Sequence, residues 1–104
     1  MPSAAKHHLI RKLRDRLKEV TFKFMPQSAM PGILGEAAED DNEIWLVRDC
    51  RPEELVHTVI HELLHVMGYN EEATDEALDR ICYASPSLRA DVAMKLLETR
   101  LLGG

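Results

Sequence analysis

The chain has 104 residues, 45% of them apolar and 30% charged, with a net charge of −5 at neutral pH. That length fits one domain with a modest core, and no apolar run approaches the ~20 residues of a membrane span. Residues 1–23 hold seven Lys/Arg against two Asp/Glu, whereas residues 36–79 hold fourteen Asp/Glu against two Arg. The acidic half argues against nucleic acid as a ligand and attracts divalent cations. No hydrophobic stretch of the secretory type follows Met1 to Lys6. Cys50 and Cys82 belong to no CxxC pair, which suits free thiols, so a cytoplasmic location is expected.

Leu9, Leu13, Leu17 and Val20, with Ile10, form an apolar stripe that predicts a helix over 4–19, with Ser3 as its cap. The basic residues between them form its wet face, and the neighbours His7 and His8 share no helix face. Val20 to Phe24 alternates with a period of two and predicts a strand. A loop rich in proline and glycine follows from Pro26 to Gly32. Ile33 to Ala38 is a weaker strand, Asp40-Asp41-Asn42 is turn material, and Ile44 to Val47 is a clear strand. The segment 35–47 reads as a hairpin, within a three-stranded sheet of antiparallel type. Ile44 and Trp45 alternate, so one of them faces away from the core.

Pro52 suits the first position of the next helix, with Glu53 and Glu54 at its positive end. Leu55, Val56, Val59, Ile60, Leu63, Leu64 and Met67 make that helix apolar on most of its surface, as in a buried helix. Gly68 supplies its stop. Asn70 caps a helix over 71–84 whose inner face is Ala73, Ala77, Leu78 and Ile81. Ser85-Pro86 starts a last helix with Leu88, Val92, Leu96 and Leu97 as its pattern, ending before Gly103-Gly104. The expected fold is α+β: N-terminal helix, small sheet, and three helices.

Within the buried helix lies His61-Glu62-Leu63-Leu64-His65. Residues four apart share a helix face, so both imidazoles can reach one metal ion. Glu62 lies about 100° further round and can act on a metal-bound water as general base. A catalytic zinc site needs a third protein ligand and an open position. The candidates are Glu71, Glu72, Asp75, Glu76 and Asp79. With the inner face centred near Ala77 and Ile81, Glu71 is the first choice. Asp75 is its supporting partner for a ligating histidine, and Glu72 is the fallback. Tyr69, Tyr83 and His57 are near enough in sequence to be weighed for steadying an oxyanion. Their plainer readings are a loop cover, a packed side chain and an exposed residue.

His61 to His65 followed by Asn70-Glu71-Glu72-Ala73-Thr74-Asp75 resembles the gluzincin metallopeptidases, with Glu71 and Asp75 in the places of a Glu-x-x-x-Asp pattern. The order of elements is similar to the very small single-domain minigluzincins and to short zincin-like proteins of phages and bacteria. The motifs cover about residues 43–81. The resemblance implies a minimal zincin-like domain over 1–104, Zn2+ held by His61, His65 and Glu71, and peptide-bond hydrolysis with Glu62 as base. The expected partner is an extended peptide on a sheet edge, assigned to Ile44–Val47. Only five residues separate His65 from Glu71, where larger gluzincins carry a long segment. The alternative reading is therefore a zinc-binding regulatory module with little or no turnover, and a latent enzyme lies between the two. A purely structural zinc site has no use for Glu62. A deformylase-like site requires a cysteine in an upstream motif that Cys50 does not supply.

Overall fold

Nine short elements follow the predicted order closely, and the arrangement of the strands is where structure and expectation part. The structure, a computed structural model, describes the backbone of residues 2–101 and all side chains within it except those of residues 2–7, 39, 78, 79 and 81–84. Ser3, His7, Leu78, Asp79, Ile81, Cys82 and Tyr83 therefore fall outside the described side chains. The elements are α1 (Pro2–Glu19), β1 (Thr21–Met25), a 3-10 turn (Gln27–Ala29), β2 (Gly35–Ala38), a second 3-10 turn (Glu39–Asp41), β3 (Glu43–Val47), α2 (Pro52–Val66), α3 (Glu71–Ala84) and α4 (Pro86–Leu101). The fold is α+β, with four helices and one three-stranded sheet. No helix among the described residues is long and apolar enough to cross a membrane.

The sheet is mixed, not antiparallel. Its spatial order is β1-β3-β2. β3 pairs parallel with β1 and antiparallel with β2. Composition explains the order. β3 is the most apolar strand, with Ile44, Leu46 and Val47 buried, and so takes the centre. β2 reads Gly-Glu-Ala-Ala and takes the edge, where a charged residue and a glycine cost least. The assignment of Ile44–Val47 as a free edge is thereby corrected: both sides of β3 are hydrogen-bonded, and the edges are β1 and β2. The 35–47 hairpin forms as expected. Its turn ends at Asn42 with φ of 54°, a left-handed position that asparagine tolerates. The Asn42 amide donates to the Glu19 carbonyl at 3.1 Å, tying the hairpin to the end of α1.

α2 is the centre of the molecule, packed against β2, α3, α4, α1 and β3. Leu55, Val59, Ile60, Leu63 and Leu64 are fully buried within a core shared with Leu13, Leu17, Phe22, Ile44, Leu46, Leu88, Val92 and Leu96. Burying each such aliphatic side chain is worth about 1.5–3 kcal/mol. Leu97, expected on the inner face of α4, is exposed. Met67 at the end of α2 is half-buried. Trp45 is half-buried on the outer sheet face, its indole N–H donating to Glu43. Glu43 also pairs with Lys23 across the β1–β3 ladder at 2.9 Å.

Two cations on α4 fix the frame around α2. The Lys95 ammonium donates to the Leu17 and Val20 carbonyls at the end of α1 and lies 5.0 Å from the centre of the Phe22 ring. The Arg100 guanidinium donates to the Arg48 and Cys50 carbonyls and stacks 5.3 Å from the Phe24 ring. That second clamp holds the loop from which α2 starts. Cys50 is a free, half-buried thiol.

α2 and β2 approach closely at Gly35. A Cβ there would lie 2.6 Å from the Thr58 Cγ2 methyl and 3.2 Å from Leu46. Gly35→Ala is expected to cost about 1–3 kcal/mol by overpacking. Adding Thr58→Ser, which removes the struck methyl, should recover at least half of that loss in urea denaturation.

Candidate metal centre

The site is built on the junction of α2 and α3. α2 ends at Gly68, whose φ of +96° is the left-handed conformation that glycine adopts without steric cost. The Gly68 N–H donates to the His65 carbonyl at 2.9 Å and the Tyr69 N–H to the Leu64 carbonyl at 3.0 Å. This is the Schellman pattern, which satisfies the last carbonyls of a helix while reversing the chain. Asn70 then caps α3, its Oδ1 accepting from the Ala73 N–H at 2.8 Å. Glu71, the first residue of α3, is turned back over the final turn of α2.

There it meets the two histidines. Glu71 Oε1 lies 2.8 Å from His65 Nε2, and Glu71 Oε2 lies 3.8 Å from His61 Nε2. The two Nε2 atoms are 3.1 Å apart, with the rings near-perpendicular at 77°. Among the described residues, His61, His65 and Glu71 form the group whose donor atoms converge to within 4.8 Å. Two donors each ~2.0–2.1 Å from a tetrahedral zinc ion stand about 3.3 Å apart. The Nε2–Nε2 separation lies near that value and each Glu71 oxygen approaches a different histidine, so the group is of a size to hold a zinc ion. Two imidazoles and a carboxylate are also the donor types of catalytic zinc sites. The histidines are mostly covered, whereas the Glu71 side chain is 75% exposed, so the group opens to solvent on the α3 side.

His65 is held in the state a metal requires. Its Nδ1 lies 2.9 Å from the Tyr69 carbonyl oxygen, which can only accept, so Nδ1 carries the proton. In the neutral ring Nε2 is then the lone-pair nitrogen, the one a metal would take, and it faces His61 and Glu71. This support was assigned in the sequence to Asp75. Asp75 is exposed, and among the described residues no hydrogen bond or ion pair joins it to either histidine. The carbonyl replaces it because the Schellman turn delivers the backbone directly beneath the ring. The contributing part of Tyr69 is thus its main chain; its half-buried side chain packs against the core. Glu72 and Glu76 are exposed and outside the group, and Asp79 lies outside the described side chains. His57 is exposed and also outside the group.

Glu62 is 8% exposed, on the side of α2 that faces β2. Burial pushes its carboxyl up to about 7, and the negative charges of Glu71 and Glu36 push in the same direction. The His65 ring and the Ala37 backbone N–H act against that rise. Small residues on β2 make the approach feasible. Gly35 and Ala37 share the inner sheet face with Leu46 and Ile44, their register partners. Neither Gly35 nor Ala37 was singled out as part of the site from sequence. The signal was there: a strand that alternates small inward residues with Glu36 is built to lie close under a helix.

Two outcomes are expected. Glu71→Ala should weaken zinc binding by at least tenfold in a competitive chelator titration, whereas Glu72→Ala should leave it within twofold. In chelator, the folded protein keeps a proton on Glu62 that the unfolded chain, with a carboxyl near 4.5, has already lost. The stability of the metal-free fold should therefore fall as pH rises from 4.5 to 7, and Glu62→Gln should flatten that slope. Urea denaturation across that window measures it.

No protein-family model, curated protein or solved structure matches this chain, and its function is argued from its own residues.

Proposed function

We propose that this chain is a small zinc-dependent metallopeptidase of the gluzincin type, similar in scale to the minigluzincins. The observation that carries the reading is the convergence of the His61, His65 and Glu71 donor atoms to within 4.8 Å of one another beside a buried glutamate. A zinc ion held by these three residues supplies a water of lowered pKa and a Lewis acid for the scissile carbonyl. Glu62 accepts the proton of the attacking water and passes it to the leaving amine. A cation bound beside Glu62 would favour its ionised form, the form a general base needs. The Tyr69 carbonyl keeps His65 in its ligating tautomer, and the covered His61 and His65 rings limit water on the protein side.

The substrate edge in this reading is β2, not β3. Val47 N–H donates to the Leu34 carbonyl at 3.0 Å, which makes Leu34 and Val47 a hydrogen-bonded pair. In an antiparallel ladder such pairs alternate. Gly35 and Ala37 therefore direct their N–H and C=O groups away from β3, off the free edge, where the Ala37 N–H meets the Glu62 carboxyl. An extended peptide adds there as a further strand, next to Glu62.

A second reading, a zinc-binding module with little turnover, is favoured by the four-residue connection 67–70 between α2 and α3. That turn is too short to form a second wall of a cleft. The two readings separate on one experiment. Zinc-loaded wild type is expected to cleave an unfolded protein substrate, and Glu62→Gln to retain stoichiometric zinc while losing at least 100-fold in rate. Zinc binding with no cleavage by the wild type would select the module.

A further inference from the structure

Along the free edge of β2, residues Leu34, Glu36 and Ala38 alternate with Gly35 and Ala37 and share the outer sheet face with Val47, Trp45 and Glu43. Glu36 is exposed, and its side chain joins no hydrogen bond or ion pair among the described residues. Lys23, the cation on β1, is engaged by Glu43. Leu34 and its neighbour Ile33 are each 42% exposed, an apolar step at the start of the edge. The surrounding half of the chain carries fourteen acidic residues against two arginines over 36–79. Arg51, one of those two, lies near Glu53 at 3.9 Å. Glu36 thus presents a negative charge on the edge, unpaired among the described residues and close enough to be felt at Glu62.

The pairing geometry says which substrate side chains these residues meet. A peptide bonded antiparallel to the outward N–H and C=O of Gly35 and the C=O of Ala37 places its residues opposite Leu34 and Glu36 at non-hydrogen-bonded positions. Those are the positions where Cα atoms are only ~4.5 Å apart and facing side chains are closest. Opposite charges placed there attract, and like charges repel. Because the strands run in opposite directions, the peptide residue facing Glu36 lies two positions N-terminal to the one facing Leu34.

We propose that the edge of β2 selects an extended peptide with a lysine or arginine two residues before an apolar residue, the cation lying opposite Glu36 and the apolar side chain against Leu34. This rests on the peptidase reading for the placement of the peptide, and it adds the class of sequence recognised. Glu36 acts as a specificity residue that touches substrate but takes no part in proton transfer.

The test uses the zinc-loaded Glu62→Gln chain, which holds peptide without turning it over, and three labelled end-capped peptides with the cores Arg-Ser-Leu, Glu-Ser-Leu and Arg-Ser-Glu. In fluorescence anisotropy at low salt, Arg-Ser-Leu is expected to bind about fivefold or more tighter than either other core. Adding Glu36→Lys should reverse the order of Arg-Ser-Leu and Glu-Ser-Leu, and adding Glu36→Gln should narrow the gap without reversing it. Equal binding of the three cores, binding of none, or an order unchanged by Glu36→Lys would overturn the proposal. The same peptides offered to zinc-loaded wild type keep the two readings apart. Cleavage of all three at equal rates overturns the selectivity and leaves the peptidase standing. Charge-selective binding without cleavage supports the edge recognition and contradicts the peptidase.

Discussion

The site depends on a single backbone reversal. Gly68 in the left-handed conformation lets the last turn of α2 close its own carbonyls and sends the chain straight back. Three consequences follow within three residues. The Tyr69 carbonyl arrives beneath His65 Nδ1, Asn70 arrives where it can cap a helix, and Glu71 arrives over both Nε2 atoms. The positive end of α3 also favours a carboxylate at its first position, so Glu71 is a good residue for that place before any metal is considered. An alanine at 68 would meet no neighbour. Its cost would be the backbone conformation alone, about 1 kcal/mol, in the turn that positions Glu71 and the Tyr69 carbonyl.

The second constraint is the placing of polar groups in the most apolar helix of the molecule. α2 buries five aliphatic side chains fully and yet carries His61, Glu62 and His65 in its second half. Buried polar groups are costly unless satisfied. The Tyr69 carbonyl accepts from His65 Nδ1, and the donor atoms of His61, His65 and Glu71 lie within 4.8 Å of one another, close enough to share one metal ion. Glu62 is the group left with an unfavourable environment, and its raised carboxyl is the sign of that strain. The sheet contributes by coming close. Gly35 leaves no room for a Cβ against Thr58, one turn before His61, so β2 runs close alongside the helix that carries His61, Glu62 and His65.

Much of this was legible because it is local. Gly68, Asn70, Ser85 and Pro52 mark helix ends through their own backbone preferences, and the structure uses them as read; Ser85 Oγ accepts from the Leu88 N–H. The choice of Glu71 followed from helical angles. Among the described side chains of α3, Thr74 is fully buried and Ala77 packs against the core, while Leu78 and Ile81 of the expected inner face lie outside the described side chains. What was not legible is non-local. Strand order depends on which strand the helices cover best, and β1 finds β3 across the intervening loop and hairpin. Only comparison of the three strands' apolar content, and not their sequence order, points to β3 as the centre. Support for His65 by a main-chain carbonyl was hidden for a related reason: every residue carries one, so no side-chain pattern announces it. Leu97 fits the helical period and is nonetheless exposed, because α4 meets the core with the narrower stripe of Leu88, Val92 and Leu96.

The central claim is that the reversal at Gly68 assembles a three-residue zinc site with an open position. X-ray absorption at the zinc edge, on the wild-type chain loaded with one equivalent, tests it most directly. The account predicts two imidazole nitrogens, a carboxylate oxygen and one further oxygen from water, all about 2.0–2.1 Å from the metal. A sulfur at about 2.3 Å, or a shell of oxygens with no imidazole signature, would contradict it.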